Sequence, residues 1–400
     1  MMLDDSKDPC VNSANIQIDC GRKWKASEAV NNAKQRLMHK DLVGTVARGR
    51  EGLGCSPRQS WYGANTKQRR QLVEGEVQSM QEEQRVVRAA SMSKQGSWLN
   101  WESIPAKKTT WKDLLTMEPL QLSFRLRSVY DLLPSPSNLC LWNITDTPNC
   151  KLCDKPANLK HILNACKTSL TGGRYKWRHD RVLSVIAHHL ALAVKTKRKS
   201  NNKLVTINFI KQGATSKVTE TGLLHTATDW ELLTDLKTQL KIPEQIAITR
   251  KRPDIVLWSK ATKQVVFIEL TIPWEEGVDE AHERKLTSYN ELVGDCRSNG
   301  WKTWCLPVEV GSRGFAAQSL WRCLKLLGIT GKPRGQLIRE AERVAEASSR
   351  WIFEKRDSSW QQETNQDQIP PANTTIVQSN QKEKRTKKNQ GKFSNYKNRW

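Results

Sequence analysis

Apolar residues recur with two different periods along this chain, and the change of period divides it into two parts. In the first part they follow helical spacing, with charged residues between them. The pattern predicts helices over 24–37, 67–92, 111–115, 120–133 and 182–194. After residue 204, short β-branched runs alternate with helical segments, which indicates an α/β domain.

The α/β part contains a predicted hairpin. Two β-branched runs, 254–258 and 265–272, are separated by a short polar turn, and this spacing predicts that they pair as antiparallel strands. Further strands are predicted over 205–210 and 303–310. Helices are predicted over 229–240, 280–296, 315–327 and 335–353.

These segments together predict an α+β multi-domain protein. Residues 1–66 form a basic, partly helical region, and residues 67–139 form a helical one. A cysteine-rich segment follows over 140–170, and the α/β domain takes up 171–355. Residues 356–400 are rich in Gln, Asn, Ser, Thr and Pro and contain few apolar residues, so they are predicted to be a disordered basic tail.

Charge narrows the classes of function. The 400 residues carry 65 Lys and Arg against 41 Asp and Glu, a formal net charge of +24. This balance favours a polyanionic partner, with nucleic acid ahead of an acidic membrane surface. A basic cluster at 382–388 is typical of a nuclear import signal or of a segment that contacts nucleic acid. The alternative is a tail that only increases solubility. We therefore expect a nuclear protein, or a cytoplasmic one that is imported through this tail.

Nothing in the pattern indicates a secreted or membrane protein. The chain opens on an acidic segment, and its longest apolar stretch, 182–194, is interrupted by His188 and His189 and is too short to cross a bilayer. Six of the ten Cys are scattered, which suits a reducing compartment rather than a disulfide framework. We expect a soluble intracellular protein without a membrane partner.

Tryptophan is unusually frequent, with 16 residues against 5 Tyr and 6 Phe. Trp98, Trp101 and Trp111 fall in the predicted helical region. We interpret them as core anchors, because Trp buries a large ring while its indole N–H finds an acceptor. Stacking on nucleic-acid bases is the alternative.

The remaining four Cys crowd one segment, and three of them join a histidine at zinc-ligand spacing. Cys150, Cys153, His161 and Cys166 form the pattern C-x2-C-x7-H-x4-C. A Cys-x-x-Cys turn presents two thiolates from one knuckle, and the later His and Cys complete a tetrahedron around Zn²⁺. Three thiolates and an imidazole leave no open position for water, so the predicted site is structural. Cys140 is interpreted as an ordinary core thiol.

Two basic runs flank the apolar helix that follows. Both are predicted to contact nucleic acid, and the second is also predicted to be a linker or exposed turn over 195–203; the candidate contacts are Arg174, Lys176, Arg178, His179, Lys195, Lys197, Arg198 and Lys199. His179 with Asp180 admits acid–base chemistry. We favour a helix N-terminal cap with a phosphate contact.

The predicted hairpin places two carboxylates on adjacent strands. Asp254 follows Pro253 at the start of the first strand, and Glu269 lies fifteen residues later on the second. Carboxylates that meet on one edge of a sheet can share Mg²⁺, which activates water and stabilises charge on a scissile phosphate. The next helix offers Lys285 and Tyr289, one turn apart and on one face. Solvated charges are the alternative on spacing alone.

The order of these motifs resembles the C-terminal part of non-LTR retrotransposon polyproteins that encode a restriction-like endonuclease. The resemblance runs from about residue 20 to 353 and is carried by Gln95-Gly-Ser-Trp98, Leu132-Leu-Pro-Ser-Pro-Ser-Asn-Leu139, the Cys150, Cys153, His161, Cys166 knuckle with Leu159-Lys-His-Ile-Leu163, Gly173-Arg-Tyr-Lys-Trp-Arg-His179, Lys251-Arg-Pro-Asp254, Glu269, Lys285-Leu-Thr-Ser-Tyr289 and Val310-Gly-Ser-Arg-Gly-Phe315. The combination is far more specific than any single piece.

The resemblance implies a helical remnant of the polymerase thumb and linker, a zinc knuckle and a nuclease of PD-(D/E)xK type. In that family the nuclease nicks target DNA, and the exposed 3′ end primes reverse transcription. Asp254 and Glu269 would then be metal-binding carboxylates, Lys285 a displaced catalytic lysine and Tyr289 a helper. Thr271 stands where many such sites carry lysine. The polymerase fingers and palm are absent from this sequence, so it is not expected to reverse transcribe.

Three functions therefore compete at this point. The first is a Mg²⁺-dependent DNA endonuclease held near its target by the zinc knuckle. The second is a truncated retroelement copy that is catalytically dead and only binds DNA or RNA. The third is a structural host protein that has kept the fold alone.

Overall fold

A computed structural model of the protein describes residues 26–48, 61–92, 95–106, 109–200, 222–236, 238–358 and 360. The predicted strand 205–210, most of the predicted tail and its basic cluster 382–388 lie outside these residues. The chain divides into two compact units. One comprises residues 1–102 with 129–132, and the other comprises 103–128 with 133–400.

The first unit is built on two long helices, α1 (Ala26–Arg48) and α2 (Thr66–Ala90). Asn65 caps α2 by accepting the backbone N–H of Gln68, whose side chain accepts the Asn65 N–H in return. Buried Ala33, Trp61 and Val73 form the centre of a small apolar cluster between the helices. The helices predicted over 24–37 and 67–92 are confirmed.

The second unit begins with short helices and then a long one. These are α3 (Trp111–Thr116), α4 (Pro119–Val129), α5 (Pro136–Leu141), α6 (Lys167–Thr171) and α7 (Arg174–Ser200). The linker predicted to start at Lys195 is wrong as far as Ser200, because α7 continues through the basic run. Lysine and arginine are good helix formers, and neither Gly nor Pro interrupts this stretch.

A four-stranded sheet with order β1–β2–β3–β4 forms the centre of the second unit. Its strands are β1 (Glu231–Thr234), β2 (Ile255–Ser259), β3 (Gln264–Thr271) and β4 (Lys302–Glu309). The first three are antiparallel neighbours, which confirms the predicted hairpin. Strand β4 pairs with β3 in parallel after helix α8 (Val278–Ser298). Helices α9 (Gln318–Leu327) and α10 (Gly331–Glu354) complete the unit.

Both faces of the sheet are covered. On one face, Ile255, Leu257, Val266, Ile268 and Leu270 lie in a large apolar cluster with buried residues of α7, α9 and α10. On the other face, Val256, Trp258, Val265 and Phe267 pack with Tyr289, Leu292 and Cys296 of α8. Successive strand residues point to opposite faces, so a strand buried on both sides is an unbroken apolar run. The result is a three-layered α/β/α arrangement around the hairpin.

One predicted helix is wrong. Residues 229–240 were expected to form a helix, but Glu231–Thr234 forms the edge strand β1, paired with Ile255–Trp258. The carboxylate of Asp229 accepts hydrogen bonds from Ser259 Oγ at 2.6 Å and from the Ala261 N–H at 2.9 Å, which holds the chain beside β2. Pairing with the open edge of β2 outweighs the weak local helix preference of so short a segment.

The Cys/His segment shares an apolar cluster with the long helices. Leu159, Leu163 and Cys166 pack there with Trp177 of α7 and Ile352 of α10. Of the tryptophans predicted to be core anchors, Trp98 and Trp101 are half-buried, and the Trp98 indole N–H donates to the Val129 carbonyl at 3.3 Å. Trp111 is not an anchor, since 80% of it is exposed. Among the helices of the described part, none is long and apolar enough to span a bilayer.

Candidate functional site

The Cys/His cluster is built from a turn and a short π-helical segment. The Cys-x-x-Cys turn is closed by backbone hydrogen bonds between Cys150 and Lys155 and between Asp154 and Cys150. Residues His161–Ala165 form the π-helical segment, and Asn158 Oδ1 accepts the His161 N–H at 2.8 Å. These two local structures bring residues from both ends of a seventeen-residue segment into one site.

The four predicted ligands converge in space. The ligand atoms of Cys150, Cys153, His161 and Cys166 all lie within 4.8 Å of one another. The sulfurs of Cys150 and Cys166 are 4.0 Å apart, and Cys153 Sγ is 3.3 Å from His161 Nε2. With metal–sulfur bonds of about 2.3 Å, tetrahedral ligands lie about 3.7 Å from one another. The cluster could therefore hold a metal such as zinc with little rearrangement.

A second layer of contacts holds two of the ligands. The hydroxyl of Tyr175 on α7 shares its one proton between the carbonyls of His161 and Ile162, and its oxygen accepts the Cys166 N–H at 3.1 Å. Burial raises the pKa of the Tyr175 hydroxyl to about 12 and that of the Cys150 thiol to about 11. A bound metal ion would favour the Cys150 thiolate, because the positive charge of the ion compensates the negative charge of the buried sulfur.

The second candidate site is the pair of carboxylates on the hairpin. Ile255 lies opposite Ile268 in the β2–β3 register, so Asp254 and Glu269 occupy the next opposed positions. Glu269 lies on the face that is covered by α8. The Asp254 N–H donates to Glu269 Oε2 at 3.2 Å, and the Leu270 N–H donates to Asp254 Oδ2 at 2.7 Å. The antiparallel ladder itself thus brings the two carboxylates together.

Helix α8 places the other two predicted residues on Glu269. Lys285 Nζ lies 2.5 Å from Glu269 Oε1, and the Tyr289 hydroxyl donates to Glu269 Oε2 at 3.0 Å. Burial, with the nearby negative charge of Asp254, raises the pKa of Glu269, although Lys285 and Tyr289 oppose this. Burial and the charge of Glu269 also raise the pKa of Tyr289. The hydroxyl is therefore a donor at neutral pH.

His179 joins this site from α7. Its Nε2 lies 3.2 Å from Asp254 Oδ2, and its Nδ1 lies 3.0 Å from Asp180 Oδ1. Burial disfavours the charged imidazolium, but the hydrogen bonds and charges of Asp180 and Asp254 outweigh it and raise the pKa of His179 to about 10. His179 lies in the second turn of α7, inside the helix rather than at its N-cap. The predicted cap is therefore wrong, and the imidazole faces a carboxylate of the site.

Two arginines predicted to contact nucleic acid are buried. Arg174 donates to the carbonyls of Lys355 and Ser358, and Arg178 donates to Ser349 Oγ at 2.9 Å. Their exposed fractions are 3% and 1%, which favours a structural role over the contact that we predicted. Burial lowers the pKa of Arg178 to about 10.

The lysines of the two basic runs differ from these arginines. Lys176 and Lys195 are exposed, as a phosphate contact requires. The side chains of Lys197, Arg198 and Lys199 lie outside the described part of the structure.

The sequence pattern did not predict one further group of side chains at the same end of the sheet. Glu309 ends β4, and in the parallel register it lies beside Thr271 of β3. Its carboxylate contacts His282 of α8 and Ser319 of α9. In the sequence, this group is indicated only by the position of His282, which lies three residues before Lys285 on the same helix face.

No family profile matches this chain, and no curated protein is detectably similar to it in sequence.

Proposed function

We propose that this protein is a metal-dependent DNA endonuclease that hydrolyses one phosphodiester bond of a duplex. The observation that carries the proposal is the contact between Asp254 and Glu269 at the end of the hairpin, where the Asp254 N–H donates to Glu269 Oε2, with Lys285 against Glu269. Two oxygen ligands at a sheet edge suit Mg²⁺ or Mn²⁺. Burial, together with the negative charge of Asp254, raises the pKa of Glu269, and a bound cation would relieve both effects.

Each residue has a role that follows from its contacts. Asp254 and Glu269 would hold the cation, which supplies an activated water and neutralises charge on the phosphate. The ammonium of Lys285 would face the phosphate beside the cation. The Tyr289 hydroxyl fixes the Glu269 carboxylate through its hydrogen bond. Exposed lysines such as Lys176 and Lys195 would bind phosphates along the duplex.

In the same proposal the Cys/His cluster binds one structural Zn²⁺, and the polyanionic partner is DNA, with element RNA as a further ligand. These assignments agree with the formal charge of +24 and with the resemblance to the nuclease part of non-LTR retrotransposon polyproteins. A nuclease of chromosomal DNA would work in the nucleus.

The alternative is a chain that binds DNA or RNA without cutting it. Thr271 favours this alternative, because it stands where related sites carry the lysine of the PD-(D/E)xK pattern. The Thr271 hydroxyl is buried and makes no hydrogen bond to any described residue. In our proposal Lys285 supplies the missing positive charge from α8.

Plasmid nicking separates the two functions. The full chain would be incubated with supercoiled plasmid and MgCl₂, beside D254N and E269Q. We expect these variants to lose more than about 100-fold in rate, since changes outside a metal's ligands already cost 10–100-fold. Glu283→Gln is the matched control, because Glu283 is an exposed residue of α8. Salt-sensitive DNA binding without any nicking would establish the binding alternative.

A further inference from the structure

A further acid–imidazole pair, the buried Glu309 with the half-buried His282, lies at the same end of the sheet. Glu309 is fully buried, and its Oε1 and Oε2 lie 3.1 Å and 3.3 Å from His282 Nδ1. Ser319 Oγ donates to the same carboxylate and accepts the Glu309 N–H at 3.3 Å. The carboxylate therefore holds the imidazole in one orientation, with Nδ1 toward the sheet and Nε2 directed away from Glu309.

The sheet register places this pair next to the two candidate metal ligands. Glu309 lies beside Thr271, two residues along β3 from Glu269, and both glutamates contact residues of α8. One strand spacing across and two residues along correspond to roughly 8 Å between Cα atoms. On α8, His282 precedes Lys285 by three residues, so the two side chains are neighbours on one face. The imidazole is about one-third exposed, as solvent access requires.

Hydrolysis of a phosphodiester needs a group that takes the proton of the attacking water. Lys285 and Tyr289 do not suit this task, because both donate to Glu269. His179 does not suit it either, since its two ring nitrogens face Asp180 and Asp254. When Nδ1 of His282 carries its proton toward Glu309, Nε2 presents a lone pair, which is the form of a general base.

Glu309 on β4 contacts this imidazole directly, and Asp279 and Lys285 lie three residues before and after it on α8. Glu269 lies on β3, and Glu275 and Glu276 belong to the turn Glu275–Gly277 that precedes α8. Glu275 is paired with Arg313, and Asp279 accepts a hydrogen bond from Ser103.

We propose that His282 is the general base of the nuclease and that Glu309 is its positioning residue. The assignment rests on the proposed function. In the step, water transfers one proton to His282 Nε2 as its oxygen bonds to phosphorus. The bond from phosphorus to O3′ breaks, and O3′ takes a proton from solvent. The products are a 3′-hydroxyl and a 5′-phosphate, and His282 then releases its proton to water.

Replacement of His282 tests the assignment. His282→Asn keeps a side-chain N–H for Glu309 but has no counterpart of Nε2. We expect this variant to bind a fluorescent duplex as the unaltered protein does and to nick plasmid 10²- to 10⁴-fold more slowly. His282→Ala should be equally slow, and imidazole added to the buffer should restore part of its rate. Glu309→Gln should lose about 10–100-fold through misorientation of the ring.

His189→Ala is the matched control. His189 forms another His–Glu pair, with Nε2 at 2.8 Å from Glu340 Oε2, and its loss should leave the rate unchanged. A full rate in His282→Asn, or a slow His282→Ala that imidazole does not restore, would overturn the assignment while D254N still shows the nuclease to be real. If the unaltered chain does not nick plasmid at all, the proposed function fails, and the assignment fails with it.

Discussion

The imidazole of His179 lies between two carboxylates, with Nε2 3.2 Å from Asp254 Oδ2 and Nδ1 3.0 Å from Asp180 Oδ1. A residue of helix α7 therefore contacts the first residue of the hairpin site across seventy-five positions of sequence. Since Asp254 Oδ2 also accepts the Leu270 N–H, that oxygen has two donors from two different elements. Strand and helix together fix the rotamer of Asp254.

This contact predicts a loss of stability at alkaline pH. The pKa of His179 is raised to about 10 in the folded protein, above about 6.5 for an unfolded chain. The stabilisation is thus complete below about pH 6.5 and is lost as the pH rises toward 10. Hydrogen bonds to charged groups contribute about 1.5–3 kcal/mol. Urea unfolding of the cation-free protein should show a decrease of this order, and His179→Asn should show a flatter pH profile. Equal profiles would contradict the prediction.

The loop after β4 depends on a buried ion pair. Arg313 Nε lies 2.6 Å from Glu275 Oε2, the Arg313 N–H donates to Glu275 Oε1 at 2.7 Å, and the guanidinium lies 3.9 Å from the centre of the Trp274 ring. We predict that Glu275→Gln lowers the free energy of unfolding by about 3–5 kcal/mol, because it leaves a buried charge uncompensated. Denaturant titration measures this.

The exposed pair Arg85–Glu82 supplies the control for that measurement. Glu82→Gln should change the free energy of unfolding by less than about 1 kcal/mol. A similar small change in Glu275→Gln would show that the buried pair is dispensable.

Metal content tests the Cys/His cluster. We expect one Zn²⁺ per chain by elemental analysis, and none in Cys153→Ser. Tyr175→Phe removes the hydroxyl that contacts both ligand segments, so zinc affinity should fall about 10–100-fold in a chelator competition. Cys140→Ser is the control, since Cys140 lies outside the cluster. A metal-free protein with native near-UV circular dichroism would rule out structural zinc.

In the first basic run, we expect one residue to contribute to DNA binding and another to contribute to stability. Lys176→Gln removes an exposed charge, so the slope of log K against log salt should shrink by about 0.9 while stability stays within 0.5 kcal/mol. Arg178→Met removes a buried guanidinium and should leave this slope unchanged, at a cost of stability. The two changes are checked by anisotropy titration and urea unfolding. An unchanged slope in Lys176→Gln together with a smaller slope in Arg178→Met would indicate that Arg178 contacts DNA.

Local pattern predicted the hairpin, α8, β4 and the Cys/His ligands, because each depends on spacing within about twenty residues. Strand β1 was missed because its partner β2 lies more than twenty residues away, and pairing decides its conformation. The partnership of His179 with Asp254 and that of His282 with Glu309 were missed for a similar reason. The local sequence around a histidine in a helix does not predict which strand that histidine will contact. Burial of Arg178 follows from the packing of α7 on α10, which no local pattern encodes.

The covering of both hairpin faces has a consequence for how the strands find their alignment. Apolar residues line β3 on either side, so hydrophobicity alone hardly opposes a slip of one residue between β2 and β3. Such a slip would turn Glu269 toward the apolar cluster of α7, α9 and α10, where a carboxylate has no partner. The acidic residues that we assign to chemistry thus also help to fix the register of β2 and β3. Their joint replacement by apolar residues would allow the hairpin to pair in a shifted register.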